Sequence, residues 1–301
     1  MALELEGQSA IVTGGGSGIN LKFGCSVVIA DLNLRPEATQ LLAEYPHDTP
    51  AANSSKPSVL FHKTDVTSWP QLTSLWKKAI QVHGKVDIVV PGAGIFEPEW
   101  SSFWRAPKTD TNPDTPSRDA GDAEPGRYAV IDLNLTAPIR LSQMAIGHWT
   151  TNKQKGCLVI VGSIAGYLDT PIRPLYHATK HGIHGFVSCM ASLRDSLGIR
   201  VGAVAPGAVD TPIWDQGFPL TKEMRDDMAW VDVDEIVQAM YQLVVDKNMG
   251  DGTILEVLSS ATRVLPRFPG ASQEVIDIAA AGYLKAEGPF LAELKKNGLR
   301  V

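Results

Sequence analysis

Cysteine is scarce: 301 residues hold three, Cys25, Cys157 and Cys189. They are far apart, odd in number and set among apolar neighbours. That excludes a disulfide framework and fits small buried hydrophobes in a reducing compartment. No apolar run reaches the roughly 18 residues of a membrane span. The opening MALELEGQ lacks the charge and apolar block of a signal peptide, so a cytoplasmic protein is the default expectation. No run of Lys or Arg occurs and the formal net charge is −6, which gives no footing for nucleic acid or an anionic membrane. His177, His181 and His184 follow no ligand pattern with Asp, Glu or Cys, and no metal is expected. No repeat and no linker mark a second domain. With 44% hydrophobic residues, the chain reads as one domain over residues 1–301, large for its class or carrying insertions.

What is present is rhythm. Apolar runs rich in Val and Ile recur at Ser9–Thr13, Ser26–Asp31, Val59–Asp65, Val86–Pro91, Gly156–Gly162, Arg200–Ala205 and Thr253–Leu258. They show little alternation, as strands buried on both faces of a parallel sheet do. Between them lie helical patterns: Pro70–His83, with Leu72, Leu75, Trp76, Ala79 and Ile80 on one stripe, then Arg127–Asn152, Leu175–Leu197 and Val233–Asp246. Such periodicity predicts amphipathic helices. Alternating strands and helices predict an α/β, Rossmann-type doubly wound parallel sheet of about seven strands. One stretch breaks the rhythm. Ala106–Gly126, rich in Pro, Asp and Thr, reads as the body of an insertion loop over about residues 104–126, with a solvated acidic middle. A helical extension is expected over about 260–301, with patterns at Gln273–Lys285 and Pro289–Asn297.

Four features carry chemistry. The turn Thr13-Gly14-Gly15-Gly16-Ser17-Gly18-Ile19 follows one strand and precedes another that ends at Asp31. A carboxylate there can accept hydrogen bonds from a ribose 2′-hydroxyl and repel a 2′-phosphate. Tyr176 and Lys180, at i and i+4, share a helix face. Ser163 follows the strand that ends at Gly162, at the carboxyl edge of the sheet where ligands of such folds bind. Asn134 lies in a helix with Pro138 four residues on; proline offers no N–H, so the Asn134 carbonyl loses its usual partner and the helix should kink.

These residues, with Asp65 in "TDVT", "PGAG" at Pro91–Gly94 and "PGAVDT" at Pro206–Thr211, make the chain resemble the short-chain dehydrogenase/reductase family from Leu5 to about Leu258. It looks most like fungal members akin to hydroxyprostaglandin dehydrogenases and polyketide-pathway secondary-alcohol dehydrogenases. The resemblance implies an oxidoreductase acting on a secondary alcohol or ketone, with NAD favoured over NADP. Tyr176 would be the acid/base, its phenol pKa lowered by Lys180 and a cationic nicotinamide. Ser163 would bind the substrate oxygen, and Asn134 would complete a proton relay. Gly14, Gly16, Ser17, Gly18, Ile19, Asp31, Asp65, Val66, Gly92, Ala93, Gly94, Pro206, Gly207, Val209 and Thr211 would contact the cofactor, together with Tyr176 and Lys180. Pro91 stands where the family usually has asparagine, which costs a side-chain hydrogen bond. Members commonly pair through the two long helices, which implies a homodimer or homotetramer. A small-molecule substrate is expected. The aromatics Phe96, Trp100, Phe103, Trp104, Tyr167, Trp214 and Phe218 suggest a pocket for a bulky apolar or aromatic alcohol, and Gly217–Ala229 resembles the family's substrate lid.

One element is damaged. From Gly14 to Cys25 the chain has barely a dozen residues, the least a parallel crossover needs. The first crossover helix is therefore shortened by roughly two turns relative to the family. Two losses are expected: a weaker anion site at its N-terminus and uncovered apolar surface on the sheet. Three readings stay open: a working dehydrogenase with weakened cofactor binding, a redox-inactive relative that binds or catalyses without redox chemistry, or a segment lost from the parent sequence through a misread intron.

Overall fold

The computed structural model describes residues 5–15, 25–47, 57–216, 220–266 and 272–301. Strands β1 (Ser9–Thr13), β2 (Ser26–Asp31), β3 (Val59–Lys63), β4 (Ile88–Pro91), β5 (Gly156–Val161), β6 (Ile199–Pro206) and β7 (Asp251–Leu258) are all parallel, and β8 (Ala261–Val264) adds an antiparallel edge. The order is β3-β2-β1-β4-β5-β6-β7-β8. Strand order therefore reverses between β1 and β4, the switch point at which the carboxyl ends of such strands open a crevice.

Helices flank both faces. They are α1 (Pro36–Glu44), α2 (Trp69–His83), α3 (Ala129–Ile131), α4 (Ala137–Thr151), α5 (Pro174–Cys189), α6 (Leu193–Leu197), α7 (Lys222–Asp227), α8 (Val233–Val245) and α9 (Gln273–Asn297). Leu72, Leu141 and Ile183 bury the stripes of α2, α4 and α5 in one core, and Ile236, Met240 and Leu243 bury that of α8 in the other. The continuous Val/Ile runs are buried because each strand is covered on both sides.

Several expectations need correction. The expected seven parallel strands are there among the described residues, and what the sequence did not signal is β8, a four-residue, fully exposed antiparallel strand. Residues 261–264 of the extension are accordingly strand, and its two helical patterns fuse into α9, with Pro289 inside. The segment Leu175–Leu197 is two helices, α5 and α6. Cys189 is exposed; only Cys25 and Cys157 are buried, and burial pushes their thiols up to about 12 and about 11. Most of the shortened crossover, residues 16–24, lies outside the described residues. The apolar surface expected to be uncovered there is not: Ala10, Val12, Val27 and Ile29 are all buried. Pro91 pairs with Thr13 of β1, whereas the β4–β5 ladder registers only Ile88 and Val89. A proline that cannot donate limits pairing on the β5 side, and the Thr13 hydroxyl accepts from the Gly92 and Ala93 amides instead.

The acidic middle of the insertion is not simply solvated. Asp110, Asp114 and Asp122 are exposed, but Asp119 is buried. Its Oδ2 accepts from the Ser101 hydroxyl at 2.8 Å and its Oδ1 from the Ala129 amide at 2.8 Å, at the first turn of α3. The Ser101 Oγ in turn accepts from the Val130 amide at 3.0 Å. Asp119 thus caps α3 from outside it, as anions at helix N-termini do. Replacing Asp119 by Ala removes a charged acceptor from buried donors, and we expect a loss of about 1.5–3 kcal/mol, read as a fall in denaturation midpoint. An unchanged midpoint would refute the capping role.

Candidate active site

The strand carboxyl ends surround a cavity of about 460 Å³, within the range of small-molecule sites. Its wall contains Gly14, Asp31, Asp65, Val66, Gly92, Ala93, Gly94, Ser163, Tyr176, Lys180, Pro206, Gly207, Val209 and Thr211. Gly16, Ser17, Gly18 and Ile19 lie outside the described residues. Asn134 does not line the cavity.

Each residue is positioned by its element. Gly14 ends β1 at φ +72°, and a Cβ there would stand 2.7 Å from the Ala93 backbone. Two glycine-bearing turns therefore touch, and only glycine allows both the conformation and the approach. This leaves main chain, not side chain, facing the cavity at the switch point, which is the kind of cradle a dinucleotide pyrophosphate needs. Asp31 ends β2, its Oδ1 accepting from the Leu32 amide at 2.7 Å. Asp65 follows β3, its Oδ1 accepting from the Thr67 amide and hydroxyl. These residues fit a nicotinamide dinucleotide lying across the crevice.

Ser163 follows β5, and its Oγ accepts from the Ala165 amide at 3.1 Å. Tyr176 sits in the first turn of α5, one turn before Lys180. Burial raises the pKa of its phenol, and the nearby Ser163 hydroxyl lowers it by less. The Lys180 Nζ lies 5.6 Å from the centre of the Tyr176 ring and donates to the Val161 carbonyl at 2.8 Å. Burial pulls that ammonium down to about 8. The pKa lowering expected for Tyr176 is thus outweighed by desolvation of the buried ring.

Asn134 lies in a π-turn, Asp132–Thr136, between α3 and α4. The Ala137 amide reaches back five residues to the Asp132 carbonyl. The break expected before Pro138 takes this form, a bulge common at functional sites. The Asn134 side chain is engaged on both sides: its Oδ1 accepts from the Ile95 amide at 2.9 Å and its Nδ2 donates to the Ile95 carbonyl at 2.8 Å. It holds the loop after β4.

Known proteins resemble the chain in sequence and in fold. The family model described as short chain dehydrogenase matches residues 8–219. The chain belongs to the short-chain dehydrogenase family. It is 30% identical over 209 residues to the short-chain dehydrogenase/reductase prx4 of Penicillium rubens, covering 69% of this chain and 56% of that protein. The chain thus spans little more than half the length of that relative. It is 28% identical over 268 residues to 5′-hydroxyaverantin dehydrogenase of Dothistroma septosporum, covering 81% of this chain and 82% of that one. In fold it is similar to 3-ketoacyl-(acyl-carrier-protein) reductase from Brucella melitensis complexed with NADH, with a TM-score of 0.64 at 22% identity, covering 85% of this chain and 98% of that one.

Of the aromatics singled out in the sequence, Phe96 and Trp214 line the cavity. Phe96 packs edge-on against Tyr176 at 4.7 Å and against Trp214 at 5.1 Å. Among the described residues, the others do not line it. Trp100 packs under Arg118, Tyr167 turns away to bond Glu256, and Phe103 and Trp104 form an exposed edge-on pair. Phe218 lies outside the described residues. In the lid-like segment, α7 is tied down by an Arg225–Asp210 ion pair at 2.8 Å. The sequence reading missed Arg35, which shares the Asp31 end of the cavity, and Leu168 and Met228, which line its wall. Arg35 had a signal, four residues after Asp31 and just before the helix-starting Pro36. Met228 lies in the segment Gly217–Ala229 already marked as lid-like, whereas Leu168 is a single apolar residue in a loop and had no signal.

His184, one turn beyond Lys180, stacks on Tyr167 with its Nε2 buried and without a partner. Burial, then the charges of Lys180 and His181, lower its pKa to about 4, and burial lowers that of His83 to about 4. Between about pH 4 and the ordinary value of 6.5 the unfolded chain binds more protons than the folded one, so stability rises with pH through that window. We expect the unfolding free energy to climb from pH 4 to 6.5, and less steeply in His184→Asn. Equal slopes would contradict the burial of a neutral His184.

Proposed function

We propose that the chain is an NAD-dependent oxidoreductase that interconverts a secondary alcohol and a ketone. The observation that carries this reading is the placing of Ser163 and the buried Tyr176 on one cavity wall, with the Lys180 ammonium 5.6 Å from the centre of the Tyr176 ring. When bound, the nicotinamide supplies the hydride acceptor. In the oxidative direction the Ser163 hydroxyl orients the substrate oxygen, and the Tyr176 Oη, as phenolate, accepts its proton as hydride leaves the carbinol carbon. The reverse transfers return both. A buried phenolate needs positive charge nearby, which Lys180 provides. Asn134 holds the Ile95 loop, and a part in proton relay falls to its carbonyl, not its side chain.

Asp31 at the end of β2 supports NAD, since a carboxylate there repels a 2′-phosphate; Arg35 beside it weakens that preference. The edge-to-face pair Phe96–Trp214 beside Tyr176 supports a bulky apolar or aromatic alcohol, in keeping with the name of the Dothistroma relative. A place in fungal secondary metabolism, a cytoplasmic location and a homo-oligomer through the faces of α4 and α5 complete the reading.

The test is absorbance at 340 nm with NAD and a panel of secondary alcohols, in wild type and Tyr176→Phe. We expect turnover that falls by about 10²–10⁴-fold in the variant, the usual contribution of an acid/base group. Full activity in Tyr176→Phe would remove the tyrosine from this role. No turnover of any alcohol in wild type would favour the redox-inactive alternative, and equal or better rates with NADP would overturn the cofactor preference.

A further inference from the structure

Glu97 is a carboxylate with no exposure to solvent. Its φ of +36° lies in the left-handed region, uncommon for a residue with a side chain. Strain of that kind persists where surrounding contacts over-determine it, and here they do. Oε1 accepts from the Ser102 hydroxyl at 2.9 Å and the Phe103 amide at 3.0 Å. Oε2 accepts from the Tyr176 amide at 2.8 Å. That amide is among the first-turn donors of α5 that have no partner within the helix. The residue before α5, Arg173, makes no side-chain cap, and Pro174 follows it. A carboxylate from a distant loop therefore supplies the missing cap, placed where the helix field favours negative charge.

The neighbours on either side make this more than a cap. Phe96 packs edge-on against the Tyr176 ring at 4.7 Å. Ile95 is held on both its backbone groups by Asn134. The segment 95–97 thus touches the Tyr176 ring through one residue and its main chain through the next. We propose that Glu97 is a positioning residue for Tyr176. It fixes the first turn of α5 to the loop after β4, so that the phenol stays aligned with Ser163 while the Phe96 wall keeps its place. This rests on the dehydrogenase reading for its effect on rate, but not for its effect on the position of Tyr176.

The test compares wild type with Glu97→Gln and Glu97→Ala in the full chain. Glutamine keeps the shape and one acceptor, while alanine keeps neither. Three quantities are read: amide hydrogen exchange over residues 174–180, the Kd of NAD, and kcat and KM for any alcohol that wild type turns over. We expect exchange in 174–180 to quicken by about tenfold or more, as loss of a charged hydrogen bond implies. We expect kcat to fall by about tenfold or more, with the Kd of NAD and the substrate KM within about threefold of wild type. Glutamine should lie between wild type and alanine, and it decides alone if the alanine variant does not fold. Unchanged exchange, or a rise in KM with kcat intact, would overturn the proposal. If wild type turns over no alcohol, the dehydrogenase reading fails while exchange still decides: faster exchange in 174–180 upholds the positioning of Tyr176, and wild-type exchange ends it.

Discussion

The site depends on the two hydrogen bonds between the Asn134 side chain and the Ile95 main chain. They hold the middle of the loop that follows the proline at the end of β4, while the Thr13 hydroxyl holds its start and the Glu97 carboxylate its far end. That loop sits at the switch point of the sheet, where β1 and β4 part. On one side its glycines meet the turn after β1, so closely that Gly14 admits no Cβ. On the other, Phe96 and Glu97 meet the first turn of α5. Two crossovers distant in sequence are thereby referenced to one short backbone segment, and the cavity between them takes its shape from it.

Burial is the second constraint. Tyr176 and Lys180 are both withdrawn from water, and each is pushed toward its neutral form. The ammonium donates to the Val161 carbonyl, and the Ser163 hydroxyl lies close enough to the phenol to lower its pKa. In such a setting a single positive charge near the phenol has more effect than it would in water. Asp119 and Glu97 show the same economy in the loops, each anchoring separate chain segments through buried acceptors.

The parallel sheet was legible because its strands are long Val/Ile runs, a pattern that solvent-exposed strands do not share. The described part of the cavity wall was legible from Gly14, Asp31 and the Tyr176/Lys180 spacing, because turn chemistry and helix periodicity are local. β8 was not, since four exposed residues carry no burial pattern. Nor was the continuity of α9 through Pro289, or the split between α5 and α6. Asp119 belongs to a stretch that read as solvated, and Glu97 carried no signal. Their partners lie 5 to 79 positions away, and spacing within a loop does not show which of them will meet. The aromatic list was too generous for the same reason: composition places rings near a mouth without saying which of them face it.

The central claim is that this crevice binds a nicotinamide dinucleotide despite the short link between β1 and β2. Titration calorimetry of NAD into the full chain tests it directly. The account predicts saturable binding at one site per chain with a Kd below about 1 mM, equivalent to about −4 kcal/mol or better. No saturable heat at several times that concentration, roughly the level at which weak cofactor sites still fill, would contradict it.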